Sequence, residues 1–512
     1  MHSGALCKPR IRAILRFMEQ DISLPLSMGG MCVHFVGVKG TGMAALVEIL
    51  HRRGAEITGS DVAEVFYTDE IIRRCGVRPA LFSAGNITDR IRLVIYSSAY
   101  NAGTNAELAE AVRRGIPCIT YAQALGLLSE EAYSCGVCGV HGKTTTTGLA
   151  GTVLAQLDLP AQVLAGSGIA SFGGGCTYSS PRGTSLFVAE TCEYRRNFMH
   201  FSPKKIILTS VESDHQDFYP TYADIRDAFV DYACRLPQGG QLIYCADDAG
   251  ASETARMAKA RRADIQLLPY GERAGGSGRR VTFGAAGGGA QRFFVSGLGE
   301  FELRVPGRHL VLNAAAALAL CAELLRAEGE NPAEHAAAMR KGIAAFSGGR
   351  RRSEVTGTAT VQGSVPVTFI DDYGHHPTAI RATLAGYREF YADCRIIVDF
   401  MSHTYTRTAA LLEEFASAFA AADMVVLNGI YASAREDASA SGVTGELLAE
   451  HTMRRHGNVR YCAEFPDAAE CILSELQEPL PAGQGGFLVV TMGAGDNWKV
   501  GRMVQERLAP PR

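Results

Sequence analysis

An α/β fold in three successive units is what this sequence predicts, and three observations carry it. An apolar run over residues 31–38 ends in a glycine turn and is followed by a helical segment. A second such arrangement, residues 133–140 leading into Gly139-Val140-His141-Gly142-Lys143-Thr144-Thr145, opens another unit. Short apolar runs then alternate with helical segments to the C-terminus, the pattern of parallel sheets covered by helices. A chain of 512 residues suits two to four domains, and three is the natural division. The expected bounds are an N-terminal extension over 1–30, a Rossmann-like domain over 31–132, a central P-loop ATPase-type α/β domain over 133–350, and a C-terminal Rossmann-like α/β domain over 351–512.

In the first unit, the strand over 31–38 is followed by Gly37, Gly40, Gly42 and Met43, then a helix over 44–53 and a short strand over 56–58 ending at Asp61. Strand, glycine turn, helix, strand and acidic residue form a Rossmann-type unit. Residues 92–96, 106–113 and 117–121 continue the alternation. The second unit begins at the Lys143 loop, with an amphipathic helix over 148–157 and strands over 185–190, 205–210 and 241–245. The glycine-rich stretch 271–299 reads as turns and short β ribbons, because 281–283 and 292–295 interrupt it. Helices follow over 313–327 and 333–344, and the turn 348–352 marks the next boundary. In the third unit, strands over 367–370 and 395–400 flank a helix over 378–391. Helices over 409–421, 446–455 and 467–476 then alternate with strands over 424–427 and 487–491.

Composition removes several classes of function. A net charge of −3 leaves no basic footprint for nucleic acid. No signal-peptide core is visible in the first thirty residues, and no stretch of about 18 apolar residues is seen to span a membrane. The 14 cysteines are scattered, which suits free thiols in a reducing cytoplasm better than a disulfide framework. Cys135 and Cys138 lie on the strand entering the Lys143 loop and read as core residues, since no second Cys/His pair follows at zinc spacing. Start sites at Met1, Met28 or Met31 are equally compatible with the sequence.

The Lys143 loop carries the strongest chemical signal. Gly139 and Gly142 let backbone N–H groups approach phosphates, and the following helix N-terminus adds partial positive charge. Lys143 is placed to reach β- and γ-phosphates and the Thr144 hydroxyl to bind Mg²⁺. Only Val140 and His141 separate the two glycines, so the loop is shorter than the common form. The first turn, Gly40-x-Gly42-x-x-Ala45 with Asp61, also satisfies the dinucleotide fingerprint, and alone it points to NAD and an oxidoreductase. Glu190 and Glu193 end one strand, and Glu212, Asp214, His215 and Asp217 follow the next. Carboxylates at such ends suit Mg²⁺ beside a nucleotide.

Gly-x-His-Gly-Lys-Thr-Thr-Thr resembles the nucleotide loop of the Mur ligases, and the likeness runs from about Met31 to the C-terminus. The resemblance implies amide formation in peptidoglycan synthesis: ATP activates the carboxylate of UDP-N-acetylmuramate as an acyl phosphate, which L-alanine then attacks. ATP and Mg²⁺ are implied, as are a cytoplasmic location, no membrane insertion and a monomer or homodimer. A relative that joins a whole peptide to the same UDP-sugar is the nearest alternative. By motif match, Gly139, His141, Gly142, Lys143, Thr144, Thr145, Asn313 and Arg352 are implied at ATP. Thr144, Glu190 and His215 are implied at metal. Gly37, Gly40, Gly42, Met43, Asp61, Ser97, Ser98, Glu193, His403 and Arg407 are implied at substrate. Lys143, His215, Arg352, Asp372 and His376 are implied in the reaction itself, the last two from Asp371-Asp372-Tyr373-Gly374-His375-His376-Pro377. Two departures stand out: Leu310 replaces an Asn of the nucleoside motif, and Thr404 replaces a second Arg before Arg407. Restoring Asn at position 310 is expected to tighten ATP binding modestly. The only tryptophan, Trp498, reads as core packing behind a terminal glycine loop, Met492-Gly493-Ala494-Gly495.

Overall fold

The computed structural model describes residues 22–431 and 442–509, so most of the N-terminal extension lies outside the described residues. Three sheets follow one another along the chain. The first contains β1 (Cys32–Val36), β2 (Glu56–Ser60), β3 (Ile91–Tyr96) and β4 (Cys118–Thr120), all parallel, in the order β2-β1-β3-β4. β1 is buried along its whole length, as a strand covered on both faces must be.

The central sheet has ten strands: β5 (Tyr133–Cys138), β6 (Ala161–Leu164), β7 (Thr177–Ser179), β8 (Leu186–Glu190), β9 (Lys205–Leu208), β10 (Gln241–Cys245), β11 (Gln266–Gly271), β12 (Arg279–Gly287), β13 (Ala290–Val295) and β14 (Gly299–Leu303). Their order is β14-β13-β12-β11-β10-β9-β5-β8-β6-β7, with β5 between β9 and β8. The glycine-rich stretch is an antiparallel meander, β12-β13-β14, with longer strands than its composition suggested. The C-terminal sheet holds β15 (Glu354–Val361), β16 (Val365–Asp372), β17 (Cys394–Met401), β18 (Met424–Leu427), β19 (Val459–Tyr461) and β20 (Gly486–Gly493) in the order β15-β16-β20-β17-β18-β19.

Several expectations change. The helix after the nucleotide loop starts at Lys143, runs to Gln156, and is buried on every face from Thr144 to Leu154. It is not amphipathic, because the helix Arg308–Ala327 lies against it and covers the side that would have met water. That second helix is long and apolar enough to cross a membrane, contrary to the sequence reading, but 78% of its apolar window is buried in the central core. The nucleoside motif is therefore helical from Arg308 onward. The single helix expected over 409–421 is two short ones, Tyr405–Ala410 and Leu412–Ala416, broken at Leu411 (φ −122°, ψ 27°). Arg407 faces the central domain, where it bonds Asp214, while Phe415 and Phe419 face the C-terminal core, and one straight helix cannot serve both. Trp498 is half-exposed, with Lys499 and Arg502 over its ring, so core packing does not explain it. Cys135 and Cys138 are buried free thiols, as expected of a core strand.

Candidate active site

Topology collects the candidate residues. In each sheet the loops that carry them leave the C-terminal ends of adjoining strands, where ligands of parallel sheets bind. In the first sheet these are Gly37–Met43 after β1 and Ser97–Tyr100 after β3. Gly37 has φ +80°, and a Cβ there would lie 2.7 Å from the Tyr100 ring. Any side chain would strain the turn and close the space beside Ser97. Asp61 accepts the backbone N–H of Lys39 at 2.7 Å, so its carboxylate holds the turn in shape. Met43 is buried beneath it, and Arg195 of the central domain reaches the Ser98 carbonyl at 3.4 Å.

In the central sheet, β5 delivers Gly139–Thr145, β8 delivers Glu190–Glu193, and β9 delivers Thr209–His215. The loop glycines are obligatory here. Gly139 (φ +134°) would place a Cβ 2.1 Å from Thr209 Oγ1, and Gly142 (φ +78°) would place one 2.6 Å from Asn313 Oδ1. The second contact brings the nucleoside motif against the phosphate loop. Leu310 instead belongs to the apolar core of the central domain, so an Asn there would be buried among hydrocarbons and the expected gain in ATP binding loses its basis.

Lys143 donates to Glu193 at 3.0 Å and to the Gly139 carbonyl at 2.6 Å. Glu193 is 1% exposed. Burial alone would raise its pKa, but Lys143, and after it His215, hold the carboxyl below the ordinary range. Burial would likewise lower the Lys143 pKa, and Glu193 raises it instead. The two hold each other charged. His215 Nε2 lies 3.4 Å from Glu193 and 3.8 Å from Asp214. Glu190 accepts the N–H of Gly166 at 2.7 Å, so the acid the motif assigned to metal is turned to the backbone while Glu193 holds the lysine. Thr144 is buried at the first turn of its helix.

The C-terminal sheet contributes from β16, β20 and β17, which are neighbours. Asp372, buried, accepts the N–H groups of Ser353 at 2.7 Å and Gly374 at 2.8 Å, tying the loop to the hinge after Arg352. Arg351 bonds Asp371 at 2.9 Å and the carbonyls of Gly493 and Gly495, while Arg352 stacks over the Tyr373 ring at 4.9 Å. His376 caps the helix Pro377–Phe390, and burial lowers its pKa to about 4. Arg407 Nη2 bonds Asp214 of the central domain at 2.7 Å, a buried ion pair between the two domains. Its Nη1 is 3.5 Å from His403, and its buried Nε has no hydrogen-bond partner among the described residues. Asp214 is held well below the usual carboxylate range: burial opposes this, and Arg407 and then His215 outweigh it.

Contacts therefore run without a gap from the nucleotide loop to the last domain: Lys143 to Glu193 at 3.0 Å, to His215 at 3.4 Å, to Asp214 at 3.8 Å, to Arg407 at 2.7 Å. Sequence reasoning left out Glu212, which accepts from Thr378 at 3.1 Å and contacts His141 and His376. It stood inside the acidic motif after β9 but was given no role. Backbone strain marks the same region. His215 (φ +55°), Arg351 (φ +55°) and Thr404 (φ +67°) all occupy the left-handed region, which a β-branched residue such as Thr404 avoids elsewhere.

Three family models match successive parts of the chain: the Mur ligase family catalytic domain over 32–133, the Mur ligase middle domain over 137–321, and the Mur ligase glutamate ligase domain over 351–495. A UDP-N-acetylmuramate–L-alanine ligase of Treponema pallidum (strain Nichols) is 49% identical over 94% of this chain and 98% of its own length. A protein of the same name from Desulfitobacterium hafniense is 37% identical over 92% of this chain and 98% of its own. Among solved structures, a UDP-N-acetylmuramate–alanine ligase from Thermotoga maritima shares the fold with TM-score 0.72 at 24% identity, covering 93% of this chain and 99% of that one. A murein peptide ligase from Psychrobacter arcticus shares it with TM-score 0.63 at 19% identity, covering 94% and 99%.

Proposed function

We infer the function from one premise: the chain belongs to the Mur ligase family. Within it, the chain is a UDP-N-acetylmuramate–L-alanine ligase of peptidoglycan synthesis, driven by ATP. The relatives that carry this name match it across nearly its whole length, and NAD-dependent oxidation explains only the first glycine turn. The observation that carries the mechanism is the unbroken run of contacts from Lys143 to Arg407.

The diphosphate of the UDP-sugar sits on the Gly37–Met43 turn at a helix N-terminus, with Ser97 and Ser98 beside it. ATP lies on Gly139–Thr145, with Asn313 against the loop. Lys143 exchanges Glu193 for the β- and γ-phosphates, and the buried setting makes that charge pairing stronger than it would be in water. By the motif match Mg²⁺ would be held by Thr144, Glu190 and His215; His215 and Glu193 already lie 3.4 Å apart beside Lys143, whereas Glu190 would have to turn from the Gly166 N–H it now accepts. When bound, Mg²⁺ supplies Lewis-acid stabilisation of the crowded phosphate charge. The muramate carboxylate attacks the γ-phosphorus and ADP leaves. The alanine amine then attacks the acyl carbon and phosphate leaves. Arg407 holds the alanine carboxylate, for which its Nε, without a partner among the described residues, is an available donor. With Thr404 in place of a second arginine, that grip rests on one guanidinium. Asp372 and Arg352 hold the C-terminal domain over the nucleotide, which excludes water from the acyl phosphate.

Release of ADP tests this. It requires UDP-N-acetylmuramate, ATP, Mg²⁺ and L-alanine together, and Lys143→Ala abolishes it while leaving binding of UDP-N-acetylmuramate nearly intact. A Lys143→Ala enzyme that keeps more than a small fraction of wild-type turnover refutes the loop assignment.

A further inference from the structure

We propose that His141, Glu212 and His376 form a binding site for one divalent transition-metal ion of the zinc type, bridging the nucleotide loop and the C-terminal domain. The three side chains come from three separate segments: the loop after β5, the loop after β9, and the N-cap of the helix Pro377–Phe390. One ligand atom from each lies within 4.8 Å of the other two. His376 Nδ1 is 3.5 Å from Glu212 Oε1, and His141 Nε2 touches the same oxygen. A zinc ion with ligands at about 2.0–2.1 Å holds tetrahedral neighbours roughly 3.4 Å apart; the His376–Glu212 pair already has that spacing, and the hydrogen-bonded His141–Glu212 pair has to open to admit the ion.

The donor set is two imidazoles and one carboxylate, which suits zinc or cobalt better than the all-oxygen shell Mg²⁺ prefers. It is separate from the Thr144, Glu190 and His215 set assigned to Mg²⁺ above. Glu212 is held from behind and the backbone of His141 is fixed, whereas His376 Nδ1 gives up the Thr378 N–H it accepts at 3.4 Å when it takes the ion. Thr378 Oγ1 donates to the other oxygen of Glu212 at 3.1 Å, and the backbone N–H of His141 donates to Ser210 Oγ at 2.9 Å. Such supporting bonds orient metal ligands. His376 is 6% exposed, and its Nε2 has no hydrogen-bond partner among the described residues. An ion here joins a residue of the nucleotide loop to one of the C-terminal domain, so it favours the closed arrangement of the two.

The test does not depend on the ligase reading, because it measures binding without turnover. The nucleotide-free full chain is titrated with Co²⁺ in excess Mg²⁺ and followed by equilibrium dialysis and visible absorption. The expected result is one Co²⁺ bound with the absorption of a four-coordinate ion and no thiolate-to-metal charge-transfer band. Binding weakens at least about tenfold in Glu212→Gln and in His376→Ala. Added Co²⁺ raises the melting temperature of the wild type and not of Glu212→Gln. If His376→Ala fails to fold, Glu212→Gln decides alone. No bound Co²⁺, a thiolate band, or affinity unchanged in Glu212→Gln overturns the proposal.

Discussion

Lys143 and Glu193 show what a single pair of residues contributes. Removing one member of a buried ion pair strands the other, at a cost of about 3–5 kcal/mol. Lys143→Ala should therefore lower the denaturation midpoint of the free protein, and adding Glu193→Gln should recover much of the loss. A double-mutant cycle in urea checks this, and simple additivity of the two effects would count against the pair. Residues of this kind also show the limits of sequence reading. The loop glycines were legible because phosphate binding requires backbone N–H groups at close range, and Gly139 and Gly142 meet side chains from 70 or more positions away that tolerate nothing larger. The partner of Lys143 was not legible, since Glu190 and Glu193 stand three apart in one motif and only the strand end decides which turns inward. The strained backbone of His215 and Thr404 leaves no trace in composition either.

At the scale of elements, the helix Arg308–Ala327 ties burial to titration. His309, in its first turn, is partly buried, and burial together with nearby His141 pushes its pKa down to about 4. In the unfolded chain an imidazole titrates near 6.5. Between these values the unfolded state binds the proton and the folded state does not, so this residue's contribution to stability falls as pH drops from about 6.5 toward 4. The loss from one such histidine reaches about 3 kcal/mol across the window. His309→Asn should flatten the acid limb of the melting-temperature profile relative to wild type, and parallel profiles would contradict this. The elements most readable in sequence were β1, β5 and β10, continuous apolar runs bounded by turns. The helices Tyr222–Ala233 and Ala249–Arg261 went unread because charged residues interrupt their apolar faces, and tertiary burial of Ile225, Phe229 and Ala255 stabilises them.

For the whole molecule, the three sheets matter through where their strands end. Adjoining strands β1 and β3, β5, β8 and β9, then β16, β20 and β17 each deliver loops to one side, and Asp214–Arg407 and Glu212–Thr378 join the last two domains there. The order of the units was legible from repeated alternation of strand and helix, whereas these joins depend on packing between residues nearly 200 apart. The central claim is that the amino acid joined to UDP-N-acetylmuramate is free L-alanine, held through Arg407. A tight pocket excludes larger side chains sterically, but against glycine it offers only one buried methyl, roughly 1 kcal/mol or about tenfold. The most direct measurement is phosphate release with UDP-N-acetylmuramate and ATP, comparing L-alanine with the tripeptide L-Ala-γ-D-Glu-diaminopimelate. The predicted result is strong preference for L-alanine, with glycine and serine poor but measurable. Strong preference for the tripeptide would contradict the account and move the chain to the peptide-joining branch of the family.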